Sequence, residues 1–329
     1  MKILAEIGNE SVAKVYIGET YRGNVVEFVE STPTYDARDK WVLIISSLNG
    51  CPVGCKMCDA GFFYRGKLDY RELMEQIEYP IARRWDGEPQ TKKFKVQFAR
   101  MGEPTFNPAV LDVLRDLDKY ENMYPSLSTV APVGVDRFFE KLLKIKKEKY
   151  ATTFQMQFSI HTMDERQRDE IIPVRKWSFE KIAKYGRRFY EEGGRKITLN
   201  FALASENIVD AKKLSRYFDA EYFLIKITPI NPTISAMKNN MRNDVDVRTG
   251  MPLGHREFVE ELKSMGYDVI ISIGDIRENE IGSNCGMYIL KYLRENGNIE
   301  GSYTFAEKLG VGEFPLSGRI SSEGVVKKK

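Results

Sequence analysis

Cysteine and histidine are scarce in this chain, with 4 Cys and 2 His among 329 residues. Three of the cysteines, Cys51, Cys55 and Cys58, fall in one octet, and the fourth, Cys285, stands far from them. A disulfide framework needs paired, dispersed thiols, so this distribution argues against one and for a metal framework. Long apolar runs are also missing. No stretch of about eighteen apolar residues occurs, and the start MKILAEIGNE is neither a basic-then-apolar signal nor an Arg-rich transit segment. The expected setting is therefore cytoplasmic, with no membrane partner and with thiols available as ligands. One-sided charge is absent as well: 50 basic residues oppose 47 acidic ones, and the net +3 neither demands nor excludes a polyanionic partner. There is no internal repeat and no low-complexity linker, and Lys327 to Lys329 reads as a frayed tail.

What is present is regular. A hydrophobic fraction of 42% is ample for a buried core. Strand-like runs at Trp41–Ser47, Phe94–Ala99, Leu127–Ala131, Phe154–Ile160, Ile197–Leu203 and Phe223–Thr228 alternate with amphipathic stretches at Asp69–Glu78, Pro108–Lys119, Asp136–Lys147, Ser178–Glu191, Val209–Phe218 and Gly254–Met265. This order predicts repeated βα units and a parallel sheet. The fold class is α/β, a partial (β/α)6 barrel, with Val269–Ile273 available as a seventh strand. Lys14–Ile17 and Asn24–Val29 flank Tyr21-Arg22-Gly23 and predict a small β hairpin or lid. The expected division is a β-rich lid over residues 1–38, a barrel core over 39–290 and a C-terminal extension over 291–329, acting as a monomer.

The chemistry concentrates at predicted strand ends, where a βα barrel carries its active site. CPVGCKMC follows WVLIISS directly, and its Cys-x3-Cys-x2-Cys spacing lets one loop reach three corners of a [4Fe–4S] cubane. The fourth iron then takes a non-protein ligand, for which the amino and carboxylate groups of S-adenosylmethionine (SAM) are suited. Structural zinc is the competing use of the Cys55–Cys58 pair, but a nearby fourth ligand is missing, the only histidines being His161 and His255. Met101-Gly102-Glu103-Pro104 follows the second strand. Gly102 would let backbone approach a ligand and Glu103 would accept from an ammonium group, the alternative being an ordinary turn before a helix. Ser128 and Thr129, Ser159 and His161, Asn200, and Asn231 recur at the next four strand ends, as nucleoside contacts or as caps and satisfied core groups.

The series CxxxCxxC, MGEPxxN (Met101 to Asn107), LSTV (Leu127 to Val130), SIHTMDERQRDEIIPV (Ser159 to Val174), ITPINP (Ile227 to Pro232) and NCGMY (Asn284 to Tyr288) resembles the RlmN/Cfr family of radical SAM enzymes, from about Ala13 to Tyr288. Those enzymes methylate an adenosine carbon of large-subunit ribosomal RNA. The resemblance implies a radical SAM barrel and a two-SAM mechanism. One SAM methylates a C-terminal cysteine, matched here by Cys285. A second is cleaved reductively to a 5′-deoxyadenosyl radical, which takes hydrogen from that methyl so that the carbon radical adds to an sp² carbon. It also implies SAM contacts at Gly102, Glu103, Ser128, Ser159, His161 and Asn231, and a low-potential electron donor of flavodoxin or ferredoxin type.

Two departures alter the expectation. The family's second catalytic cysteine, seven residues before the first cluster cysteine, is Ile44 here, and isoleucine neither carries a proton nor forms a disulfide. RNA-methylating members also carry a helical N-terminal RNA-binding domain, whereas this sequence starts almost at the predicted lid. RNA is therefore admitted but not favoured as substrate, beside a nucleotide or small metabolite. The alternatives are a radical enzyme of different outcome, with Cys285 as hydrogen donor or adduct former, and a cluster-containing sensor without catalysis.

Overall fold

The computed structural model describes residues 1–231, 233–242, 246, 251–272, 281–283, 288–295 and 297, together with the backbone of 319–320 and 326–327. Ten strands form one sheet. Its first three, β1 (Lys2–Asn9), β2 (Ala13–Glu19) and β3 (Val25–Ser31), are antiparallel. β4 (Trp41–Ile45) pairs antiparallel with β3 and opens the parallel part. The short strands β5 (Leu48–Gly50) and β6 (Tyr64–Lys67) make a separate ribbon. The parallel order then runs through β7 (Phe94–Phe98), β8 (Met123–Thr129), β9 (Gln155–Ser159), β10 (Ile197–Leu203), β11 (Phe223–Pro229) and β12 (Val269–Ile271).

That order never reverses from β4 to β12. Right-handed crossovers that always step the same way put every connecting helix on one face, as in a barrel and unlike a doubly wound sheet. Burial follows this geometry. Along β11 the residues alternate strictly, with Phe223, Ile225 and Ile227 fully buried under the helices and Leu224, Lys226 and Thr228 half-buried on the opposite, inner face. β7 repeats the pattern, burying Phe94, Val96 and Phe98 and leaving Lys95 and Gln97 half-buried. β12 pairs with β11 alone, so the described sheet is a partial barrel.

The predicted lid is part of this sheet. Val29 faces Ile44 across the β3–β4 register, so the N-terminal strands extend the barrel's edge instead of standing apart over the site. β1 was missed because its mixed run KILAEIGN has no clean alternation. The helix Glu165–Ile171 was missed for a similar reason: ERQRDEI has no apolar stripe, and the helix rests on an Asp164 cap to the Gln167 N–H and on buried Arg168 and Ile171. In β8, Pro125 concealed the start, since a residue without an N–H argues against a central strand.

The inner face of β2 to β4 is covered by the helix Tyr288–Arg294, where Tyr288 packs with Val15, Ile17 and Val29, and Ile44 lies against the same cluster. A buried ion pair anchors this return. Arg100 donates to Glu27 and to the carbonyl of Ser283 at 2.6 Å, while Glu27 accepts the Ile289 N–H at 2.8 Å. Among the described residues no helix is long and apolar enough to cross a membrane.

Candidate active site

The cysteine loop is held at both ends. At its start the Cys51 N–H bonds the Phe63 carbonyl at 3.0 Å, joining the β5–β6 ribbon. Gly50 is required there: its φ is +83°, and a Cβ would fall 2.0 Å from that carbonyl oxygen. Within the loop the Cys58 N–H bonds the Cys55 carbonyl at 3.0 Å, and Cys58 leads into a single 3₁₀ turn, Asp59–Phe62.

A clamp from the far end of the chain fixes the other side. Asp59, buried, accepts the N–H groups of Ser235 at 2.8 Å and Ile234 at 3.2 Å, capping the short helix Ile234–Lys238. Thr233 donates to the Met57 carbonyl at 2.7 Å, Ser235 to that of Cys58 at 3.1 Å, and Asn239 to that of Lys56 at 2.9 Å. None of these residues was singled out from sequence for this role. The signal available was an Asp directly after the last cysteine and a Thr-x-Ser run after ITPINP.

The second motif is tied to the segment leading into the first: the Ser47 N–H meets the Met101 carbonyl at 2.8 Å, and the Asn107 amide donates to the Ser47 carbonyl at 2.8 Å. Burial pushes the Cys51 thiol up to about 11, against the pull of the backbone N–H groups of Val53, Glu103 and Gly54. Burial, with Cys51 and Glu103 adding to it, also drives the Cys55 thiol far above its usual range. Such thiols stay protonated until a metal displaces the proton. No disulfide joins the three cysteines, which are half-buried. Among the described residues no three His, Cys, Asp or Glu side chains converge as a single-ion site. A lone zinc, about 2.3 Å from each sulfur, would need such convergence, whereas a cubane spreads its thiolates over separate corners. The donor set therefore fits a cluster better than a lone ion.

Glu103 is buried, and both of its carboxylate oxygens accept hydrogen bonds. One carboxylate oxygen accepts from Thr105 Oγ1 at 2.7 Å and Thr129 Oγ1 at 2.5 Å, and the other accepts the Val130 N–H at 2.9 Å. Burial pushes its carboxyl upward, against the pull of those donors. Gly102 takes a different part from the one expected. At φ +92° a Cβ would lie 2.4 Å from Leu48 Cβ, so its missing side chain makes room for β5. Asn107, the last residue of MGEPxxN, ties the carbonyls of Ser47 and Leu68 at 2.8 and 2.7 Å.

Ser128 and Ser159 sit half-buried on the inner face, at the ends of β8 and β9. Ser159 lies beside Asn200 in the register, and the Asn200 Oδ1 is buried with no hydrogen-bond donor. His161 is buried at φ +66°, with Nδ1 accepting the Ala202 N–H at 3.0 Å. Burial, reinforced by Arg168, lowers its pKa to about 4, so the ring is neutral at ordinary pH. Asn231 is half-buried and bonds the Thr233 N–H through its carbonyl at 2.8 Å. Cys285 lies outside the described residues.

No protein-family model matches the chain. It is similar to a protein named "Probable dual-specificity RNA methyltransferase RlmN" from Frankia casuarinae, 26% identical over 264 residues that cover 75% of this chain and 58% of that protein. A protein of the same name from Thermotoga neapolitana is 26% identical over 242 residues, covering 71% of this chain and 67% of its own. Among solved structures, a radical SAM methyltransferase from Sphaerobacter thermophilus matches with a TM-score of 0.60 at 20% identity, covering 82% of this chain and 75% of that one. The chain thus resembles the RlmN methyltransferases in sequence and a radical SAM methyltransferase in fold. The chain spans 58% of the Frankia relative's length. Radical SAM proteins use SAM and a [4Fe–4S] cluster, and the thiols and carboxylate of this site would suit both.

Proposed function

We propose that this chain is a radical SAM enzyme in which Cys51, Cys55 and Cys58 hold a [4Fe–4S] cluster, Glu103 receives the SAM ammonium, and Cys285 carries a SAM-derived methyl or methylene group to an sp² carbon of the substrate. When bound, the cluster supplies the electron that cleaves SAM to a 5′-deoxyadenosyl radical, after reduction by a low-potential donor of flavodoxin or ferredoxin type. The observation that carries the reading is the seam between the two loops, where the Ser47 N–H meets the Met101 carbonyl and the Asn107 amide meets the Ser47 carbonyl, both at 2.8 Å, bringing the carboxylate loop against the segment that leads into the cysteines.

The chain's own residues then divide the work. Thr105, Thr129 and the Val130 N–H stabilise the charged form of Glu103 and fix its orientation, leaving lone pairs for an ammonium group. Ser128, Ser159 and Asn231 offer polar groups to the nucleoside and amino-acid parts of SAM. The ring of His161, its Nδ1 taken by Ala202, keeps an Nε2–H to donate. Gly102 acts indirectly, by letting Leu48 seat β5 beneath the cysteine loop.

Anaerobic reconstitution followed by reduction with SAM is expected to release 5′-deoxyadenosine, and mass spectrometry to find a methyl group on Cys285. Neither product would appear from a sensor. A second reading rests on Ile44, which packs in an apolar cluster with Val29 and Tyr288. Isoleucine at that position offers neither a thiol nor a proton to resolve an adduct. In that reading Cys285 is a hydrogen donor or adduct former, and 5′-deoxyadenosine forms without methylation of Cys285. The substrate is RNA, a nucleotide or a smaller metabolite. The names of the relatives favour RNA, and the near-neutral charge lends it no support.

A further inference from the structure

At the end of the sheet opposite the cysteines, lysine and arginine side chains gather. Lys93 stands one residue before β7, and Lys95 lies on the inner face of that strand. Lys40 precedes β4 beside them, since the Trp41 N–H bonds the Lys93 carbonyl at 3.0 Å. Arg195 stands two residues before β10. Lys226 lies on the inner face of β11.

The carboxylates at this end are engaged by neighbouring lysines: Asp39 pairs with Lys92 at 2.7 Å and Asp268 with Lys196 at 2.6 Å. Among the described residues the ammonium groups of Lys93 and Lys95 have no hydrogen bond and no ion pair. Lys93 instead rests 4.5 Å from the centroid of the Tyr124 ring. Arg195 gives its Nε to Gln155, and its terminal amines meet no protein acceptor among the described residues. Burial, then Arg195 and Lys40, pushes the Lys93 ammonium down to about 8. Burial and the surrounding cations, Lys226 foremost, hold Lys95 well below its usual range. Lys93 and Lys95 are thus raised in energy by the cations beside them, a condition that an entering anion reverses.

We propose that this end of the barrel binds a phosphate-type oxyanion through Lys93, Lys95 and Arg195, at a site separate from the cysteine loop. Phosphate suits the set better than a single carboxylate: its several acceptor oxygens match two ammonium point charges and the free fork of a guanidinium. Lys93 and Arg195 stand at the rim, where a ligand enters, and Lys95 stands deeper. The phosphate is either free or the phosphoryl group of a nucleotide. This site does not depend on the function proposed for the cysteine end.

The test uses the full chain in chloride buffers of matched ionic strength, titrated with inorganic phosphate and, separately, with adenosine 5′-monophosphate. Calorimetry is expected to show saturable phosphate binding that weakens at least tenfold in Lys93→Gln and in Arg195→Gln, both rim positions. Tighter binding of the monophosphate would assign the site to a nucleotide's phosphoryl group, and equal binding to the free anion. In phosphate-free buffer Lys93→Gln should melt above the wild type, because a repelled charge has gone. Added phosphate should raise the wild-type melting temperature and leave that of the variant nearly unchanged. The proposal is overturned if phosphate does no more than matched chloride, or if both variants bind it as the wild type does.

Discussion

The two ends of the parallel sheet are built on opposite rules. At the cysteine end the buried groups around the ligand loop are tied down: Asp59 caps a helix, Glu103 meets donors on both oxygens, and Asn107 holds two carbonyls. At the other end Lys93 and Lys95 are left without a partner among the described residues, although both neighbouring acids are paired. An end that must hold a cluster in one geometry benefits from rigid, satisfied loops, because a ligand set is only as well placed as its supporting hydrogen bonds. An end with unopposed charge is poised for a ligand that brings the missing sign.

Breaking the rigid end should produce the largest effects. Cys55→Ala removes a cluster ligand, and release of 5′-deoxyadenosine from reduced, SAM-treated protein should fall by about 100-fold or more, beyond the loss typical of a supporting residue. Gly102→Ala should destabilise by about 3–4 kcal/mol in urea unfolding, combining left-handed strain with overpacking against Leu48. Adding Leu48→Ala should recover little, since Leu48 Cβ at 2.4 Å and its backbone nitrogen at 2.8 Å stay in place and the strain at φ +92° remains.

His161 sharpens the comparison through pH. Its folded pKa, about 4, lies below the ordinary 6.5, so the unfolded chain takes up the proton first. The stabilisation is complete above pH about 6.5 and is lost as pH falls toward 4, amounting to about 3 kcal/mol. A His161→Gln variant should show a flatter stability profile over that window. The smallest effect at this end is expected from Asp59→Ala, which leaves the Ser235 and Ile234 N–H groups uncapped, at about 2 kcal/mol by denaturant titration. Its second readout is slower or incomplete cluster reconstitution, which a purely local helix cap would not affect.

Much of the scaffold was legible because its periodicities are strong. The strand Ile197–Leu203 has the bounds its sequence predicts, and Val269–Ile271 adds the seventh parallel strand. Elements without an apolar pattern escaped, as Glu165–Ile171 did, because capping and two buried side chains hold it instead of a stripe. Gly102 was read toward a ligand, and the structure turns it toward Leu48. Sequence spacing reveals which residue types are adjacent along a chain, and it carries no information about which neighbour fills a glycine's empty side.

The sequence alone determined that three thiols share one loop after a strand, that a Gly-Glu-Pro turn follows the next strand, and that βα units repeat. Those facts are local, and local spacing suffices to state them. Only the tertiary structure decided that the Gly-Glu-Pro loop is bonded to the segment before Cys51, that Thr233 to Asn239 clamp the cysteine loop across 176 residues in the case of Thr233 and Met57, and that Lys93 and Lys95 lack, among the described residues, the acids their neighbours have. Contacts of that kind depend on strand order, register and the side of the sheet to which each residue points, and these are set when the chain closes on itself.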